Sequence, residues 1–165
     1  MSFYEKLKSE TSQKYLDRYV PKDLTKAQKE KVSKIILARR SGKSDDVTPS
    51  YKRTRKSSFT TRFNKKFPDI ESKSLKNLAK FFKIPPSVLK TVYDKGAAAW
   101  SSSGSRLGVN RQQWAKARVY KAILNILKGR ENGIDEYPKR LQTEGHDFSQ
   151  VKKAVEANSY IPLNT

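Results

Sequence analysis

LKNLAKFFKIPPSVLKTVYD, residues 75–94, is the stretch on which the fold turns. Leu75, Leu78, Ala79 and Phe82 recur at the i, i+3, i+4, i+7 spacing of an amphipathic helix. Ile84-Pro85-Pro86 interrupts the pattern, Ser87 can cap a second helix, and Val88, Leu89, Val92 and Tyr93 resume it. The two segments fit a helix-turn-helix template, with Leu78, Ala79 and Phe82 packing the first helix, Ile84 in the turn, and Leu89 and Val92 on the buried side of the second. Lys83 falls where such a turn often uses glycine to reach positive φ. A DNA-reading second helix would lie in the major groove. Here it would point Ser87, Lys90, Thr91 and Asp94 outward, one cation and one acid among them, which is little for reading bases.

Outward from this pair the periodicity stays helical. Phe3, Leu7, Tyr15 and Tyr19 form a sparse stripe over residues 3–19, closed by Pro21. Thr25 and Gln28 make a T-x-x-Q capping box ahead of Val32, Ile35 and Ile36, and SGKSDDVTPS at 41–50 reads as a polar linker. Phe59, Phe63 and Phe67 predict a helix over about 58–67 with Arg62, Lys65 and Lys66 on its other face, although a run of like charge also suits a solvated basic arm. Asn110 and Gln113 open the longest helix, Arg111 to Lys128, with Gly129 as its stop. A last helix begins at Asp147 and runs from Phe148 to about Asn158, followed by an extended tail. No period-2 pattern or internal repeat occurs. The expected fold is all-α: a small domain of about five to seven helices with an internal helix-turn-helix-like pair, an extended basic linker and a C-terminal tail. The expected organisation is an N-terminal helical extension and linker at 1–50, a basic core at 51–130, and an acidic C-terminal helix and tail at 131–165.

The formal net charge is +20. Fourteen of those charges come from residues 47–66 and 101–130, which hold no acid. A face that is merely solvated mixes both signs, so these blocks point to a polyanionic partner. The candidate cations are Arg53, Arg55, Arg62, Lys65 and Lys66 in the first block and Arg106, Arg111, Lys116, Arg118 and Lys121 in the second. Between Trp100 and Trp114 runs a Ser/Gly loop in which Gly104 and Gly108 permit unusual backbone angles. The loop and the following helix N-terminus could hold an anion, or the two rings could simply brace the loop.

Cysteine is absent and His146 is the single histidine, so a disulfide framework, a zinc site and a histidine-based triad are not expected. SGKS at 41–44 lacks the glycine a phosphate-binding P-loop needs, because Leu37 stands there, and S-x-x-K at 87–90 lacks its partner motifs. Neither an apolar leader nor a run of about 18 apolar residues is seen, so a soluble chain from a reducing compartment is expected. No enzyme activity, cofactor, metal or small-molecule substrate is expected.

Val92-Tyr93 through Gly96, Ala99 and Trp100, then Gly104, Arg106 and Gly108, then Gln113-Trp114-Ala115 through Ala117, Arg118 and Val119, resemble a pattern close to V-Y-x-R-G-x-x-A-W, G-x-R-x-G and Q-W-x-x-A-R-V. That pattern belongs to an uncharacterised domain family encoded by large DNA viruses of algae and relatives and by tailed phages, and the likeness spans about 59–128. Lys95 and Leu107 depart from it, standing where the family often has arginine and proline. The resemblance implies a virion location after synthesis in the host cytoplasm, with viral capsid proteins as partners and a role as a non-enzymatic minor capsid component. Nucleic acid is the alternative partner, and a membrane surface suits the helices less well because none has a wide apolar face opposite its lysines.

Overall fold

The structure is a computed structural model describing residues 1–51, 57–102, 107–132 and 147–159. Among the described residues it has eight helices and no strand: α1 Phe3–Glu10, α2 Gln13–Tyr19, α3 Lys26–Arg40, α4 Ser58–Lys66, α5 Leu75–Phe82, α6 Pro86–Ser102, α7 Arg111–Asn132 and α8 Phe148–Ser159. The all-α expectation holds. The C-terminal tail and the basic linker at 52–56 lie outside the described residues.

The chain forms two compact units, Met1–Arg55 with Gly96–Trp114 and Lys56–Lys95 with Ala115–Thr165. Residues far apart in sequence share each core.

The first unit buries Leu7, Leu16, Val20, Leu24, Val32, Ile36 and Leu107 together. The stripe expected to make one helix over 3–19 makes two. Thr11 is extended, its hydroxyl donates to the Leu7 carbonyl at 2.7 Å, and the Ser12 hydroxyl accepts from the Tyr15 amide at 3.1 Å. Two adjacent hydroxyl side chains thus satisfy backbone groups that a continuous helix would have paired internally. The expected Thr25–Gln28 capping box is present in both directions.

The free amides at the start of α1 are satisfied from α3, where the Glu30 carboxylate accepts from Phe3 and Tyr4 at 3.0 and 2.9 Å. The hydrogen bond from the Tyr4 amide, helped by that from Phe3, holds the Glu30 carboxyl below its ordinary range. Its stabilising contribution is therefore full above that range and is lost as pH falls through the depressed value. An acid titration followed by circular dichroism should show a loss of helix in the wild type as pH falls below the ordinary carboxylate range. Glu30→Gln should flatten this acid limb and lower the neutral-pH plateau.

The segment at 41–50 is no free linker. Thr48 is buried, and both its carbonyl and its hydroxyl accept from the Gly108 amide, at 2.9 and 3.3 Å. With Leu107 in the core of the first unit, the loop between the tryptophans is tied to the N-terminal half of the chain.

The second unit is built around Phe63, which is fully buried and stacks on Tyr120 at a ring-centroid distance of 4.5 Å. Phe82 meets Phe63 and Phe67 edge-on at 5.9 and 4.8 Å. Leu78, Val88, Leu89, Val92, Val119, Ile123 and Ile126 fill the same core, and α8 adds Val151 and Ala154. Burying side chains of this size contributes about 1.5–3 kcal/mol each.

The turn between α5 and α6 follows the sequence reading. Lys83 is left-handed at φ 52° and ψ 50°. The Ile84 amide donates to the Ala79 carbonyl at 2.9 Å and the Lys83 amide to the Lys80 carbonyl at 3.4 Å, the bonding of a Schellman stop. From α7, Arg130 donates to the Phe82 and Lys83 carbonyls at 2.5 and 2.7 Å. A side chain carrying a Cβ is strained in this conformation, so Lys83→Gly should raise stability by about 0.5–1 kcal/mol in thermal denaturation.

Two helix ends differ from expectation. α6 starts at Pro86, where proline's fixed φ and missing donor suit the first helical turn, so Ser87 is already inside the helix. α7 runs through buried Gly129 to Asn132, because a glycine stops a helix where it is itself left-handed, and Gly129 is not among the positive-φ glycines. Asn110 and Gln113 do cap its start reciprocally, at 2.8 and 3.0 Å.

Candidate functional site

A cation is available to a partner only if the fold has not already engaged it. Arg53, Arg55, Gly104 and Arg106 lie outside the described residues. Most of the described candidates in the second acid-free block are engaged. Arg111 forms an ion pair with Asp45 within the first unit. In the second unit Arg118 grips Asp147 with two bonds, Nε to one carboxylate oxygen at 2.8 Å and a terminal nitrogen to the other at 3.1 Å, and the side chains are 20% and 12% exposed. Lys116 donates its ammonium to the Lys73 carbonyl. Burial and then the charge of Lys73 lower its pKa. Two of these three cations thus meet acids that lie outside the acid-free block.

Other arginines serve helix ends. Arg39, almost wholly buried, stands 4.0 Å from the centre of the Trp100 ring and donates to the Trp100 carbonyl at 3.3 Å. Arg40 donates to the Ser102 carbonyl at 3.1 Å. α6 has no basic residue in its own last turn, so two α3 arginines complement the negative end of its dipole. Sequence reasoning missed Arg39, Arg40 and Arg130 because nothing local marks a guanidinium bound to carbonyls of another helix.

The loop bracing is equally specific. Trp100 is buried, and its indole N–H donates to the Val109 carbonyl at 2.8 Å. Trp114 is only partly buried. Gly108 has φ +75°, and a Cβ there would lie 1.7 Å from the Ser50 hydroxyl oxygen.

What stays open is on α4 and the adjoining part of α7. Arg62, Lys65 and Lys66 are exposed, and the sequence of α4 contains no acid. The Arg62 guanidinium and the Lys121 ammonium stand 5.7 and 5.2 Å from the centre of one ring, Phe59. Lys66 stands 5.9 Å from the Phe67 ring. Among the described residues none of these four cations enters an ion pair. The structure so brings Lys121, from the second block, together with Arg62 of the first. An aromatic face can hold like charges close because its negative quadrupole attracts both. The result, among the described residues, is a cationic surface without an acid paired to it, a chemistry that suits phosphate or carboxylate groups. Among the described residues no group of three acidic, histidine or cysteine side chains could hold a metal, and no helix is long and apolar enough to cross a membrane.

A family model described as a family of unknown function, DUF5824, matches residues 11–141. The chain belongs to this family. The DUF5824 match takes in α2 through α7 and all four open cations, and it extends well beyond the stretch at 59–128 that carries the motif pattern. α1, and α8 with the Asp147 that holds Arg118, fall outside it. No curated protein and no solved structure matches the chain.

Proposed function

We propose that this DUF5824 member is a non-enzymatic nucleic-acid-binding protein that engages phosphates through Arg62, Lys65, Lys66 and Lys121. The observation that carries the reading is the persistence of this surface after the fold has engaged Arg111, Lys116 and Arg118 elsewhere. The helix-turn-helix-like geometry of α5 and α6 does not add base reading, because Lys90 and Asp94 on the outer side of α6 bond to each other at 2.7 Å. Binding is therefore to the backbone and without sequence preference. Titration with duplex DNA tests it: phosphate contacts from these four cations make affinity fall by a factor of about 10² between 50 and 200 mM salt. Affinity indifferent to salt removes the proposal.

The motif pattern at 92–119 favours a second reading, a minor capsid or other virion component that places the same surface against capsid subunits or an acidic inner face. Mass spectrometry of purified particles tests this, and absence of the protein from them ends it.

A further inference from the structure

The most exposed aromatic ring among the described residues is Phe81, with 57% of its surface open. A lone exposed phenylalanine is ordinary, but this ring is held in a cluster. Its centroid is 4.8 Å from that of Phe82 and 6.5 Å from that of Phe67, both near edge-to-face, and Phe82 and Phe67 are themselves 4.8 Å apart. Cations accompany the cluster. Lys80 and Lys83 flank Phe81 in the chain and are exposed, and Lys66 stands over the Phe67 ring. A ring propped at its edges and accompanied by lysines that enter no ion pair among the described residues matches the way aromatic side chains and a basic groove together take up an unpaired strand. Duplex DNA offers no such match, since its base faces are stacked on one another. The outer side of α6, the other surface of the helix pair, is partly self-neutralised by Lys90 and Asp94.

Resting on the nucleic-acid reading above, we propose that the preferred partner is single-stranded, with a base stacked on Phe81 while Lys66, Lys80 and Lys83 take the phosphates on either side. Stacking on one ring is worth about 1–3 kcal/mol per base, a factor of about 5 to 150 in affinity.

Fluorescence anisotropy with a labelled oligothymidine and with a duplex of equal length tests this on the full chain. The wild type should bind the single strand more tightly. Phe81→Ala should lose about tenfold on the single strand and less than about twofold on the duplex. Phe81→Leu, which keeps an apolar side chain of similar bulk against Phe67 and Phe82, should lose as much, and Phe81→Trp should bind as tightly as the wild type or more so. Leucine binding the single strand like the wild type overturns the proposal, as does an equal loss on both forms. So does a self-association that Phe81→Ala abolishes while single-strand affinity stays unchanged, because the ring then serves contact between copies. A wild type that binds both forms without dependence on Phe81 sinks this inference alone, whereas one that binds neither sinks the parent reading too.

Discussion

Gly108→Ala will lower the stability of the first unit by about 2–3 kcal/mol, combining left-handed backbone strain of about 1–2 kcal/mol with an overpacking penalty of about 1 kcal/mol. At φ +75° any L side chain is strained, and the added methyl would meet the Ser50 side chain at 1.7 Å from its oxygen and 3.0 Å from its Cβ. The exposed Ser50 hydroxyl can swing away, but its Cβ stays at 3.0 Å, and relief by moving the loop would break the bonds from the Gly108 amide to Thr48 and draw Leu107 from its core. Gly42→Ala is the control, because φ is nearly the same at +76° but nothing lies within 4 Å of the new Cβ. It should cost only the strain, about 1 kcal/mol. Urea denaturation followed by tryptophan fluorescence separates the two, and equal losses would mean that the close approach to Ser50 is not a constraint in solution.

Asp147→Ala will cost about 3 kcal/mol, because it leaves the mostly buried Arg118 guanidinium without its carboxylate. Asp147 directly precedes α8, whose Val151 amide bonds to the Asp147 carbonyl at 2.9 Å and whose Val151 lies in the core. Arg118→Met combined with Asp147→Leu should recover much of the loss, as apolar replacement of a buried pair often does. A double-mutant cycle in denaturant should give a coupling energy of about 1–3 kcal/mol. Additive effects would show that the two charges do not stabilise each other.

Much of the fold could be read from residue spacing. The α5–α6 pair, the left-handed Lys83, the Thr25–Gln28 box, the cap of α7 and the start of α8 all depend on residues within a few positions of one another. The two units could not, because Leu107 and Thr48 reveal their role only once the chain has brought them together. The candidate site was legible in part for the same reason. A local stripe put Arg62, Lys65 and Lys66 on the other face of α4 from Phe59 and Phe63; the three cations are exposed and Phe63 is buried, but Arg62 reaches back beside the Phe59 ring instead of standing opposite it. The second acid-free block read as equally open, yet Asp45 and Asp147 reach Arg111 and Arg118 from 66 and 29 residues away. Charge along a sequence measures how many cations a segment carries, not how many the fold leaves unengaged. Bonds from Arg39, Arg40 and Arg130 to helix carbonyls make the same point, since they engage cations without any acid.

The central claim is that the open cations on α4 and α7, rather than the total charge, contact phosphate. The most direct measurement is the slope of log affinity against log salt for duplex DNA, compared between the wild type and a variant with Arg62, Lys65, Lys66 and Lys121 all changed to alanine. Each contact contributes about 0.9 to the slope, so the variant should be shallower by about 3 to 4. A slope unchanged by the four substitutions would contradict the account.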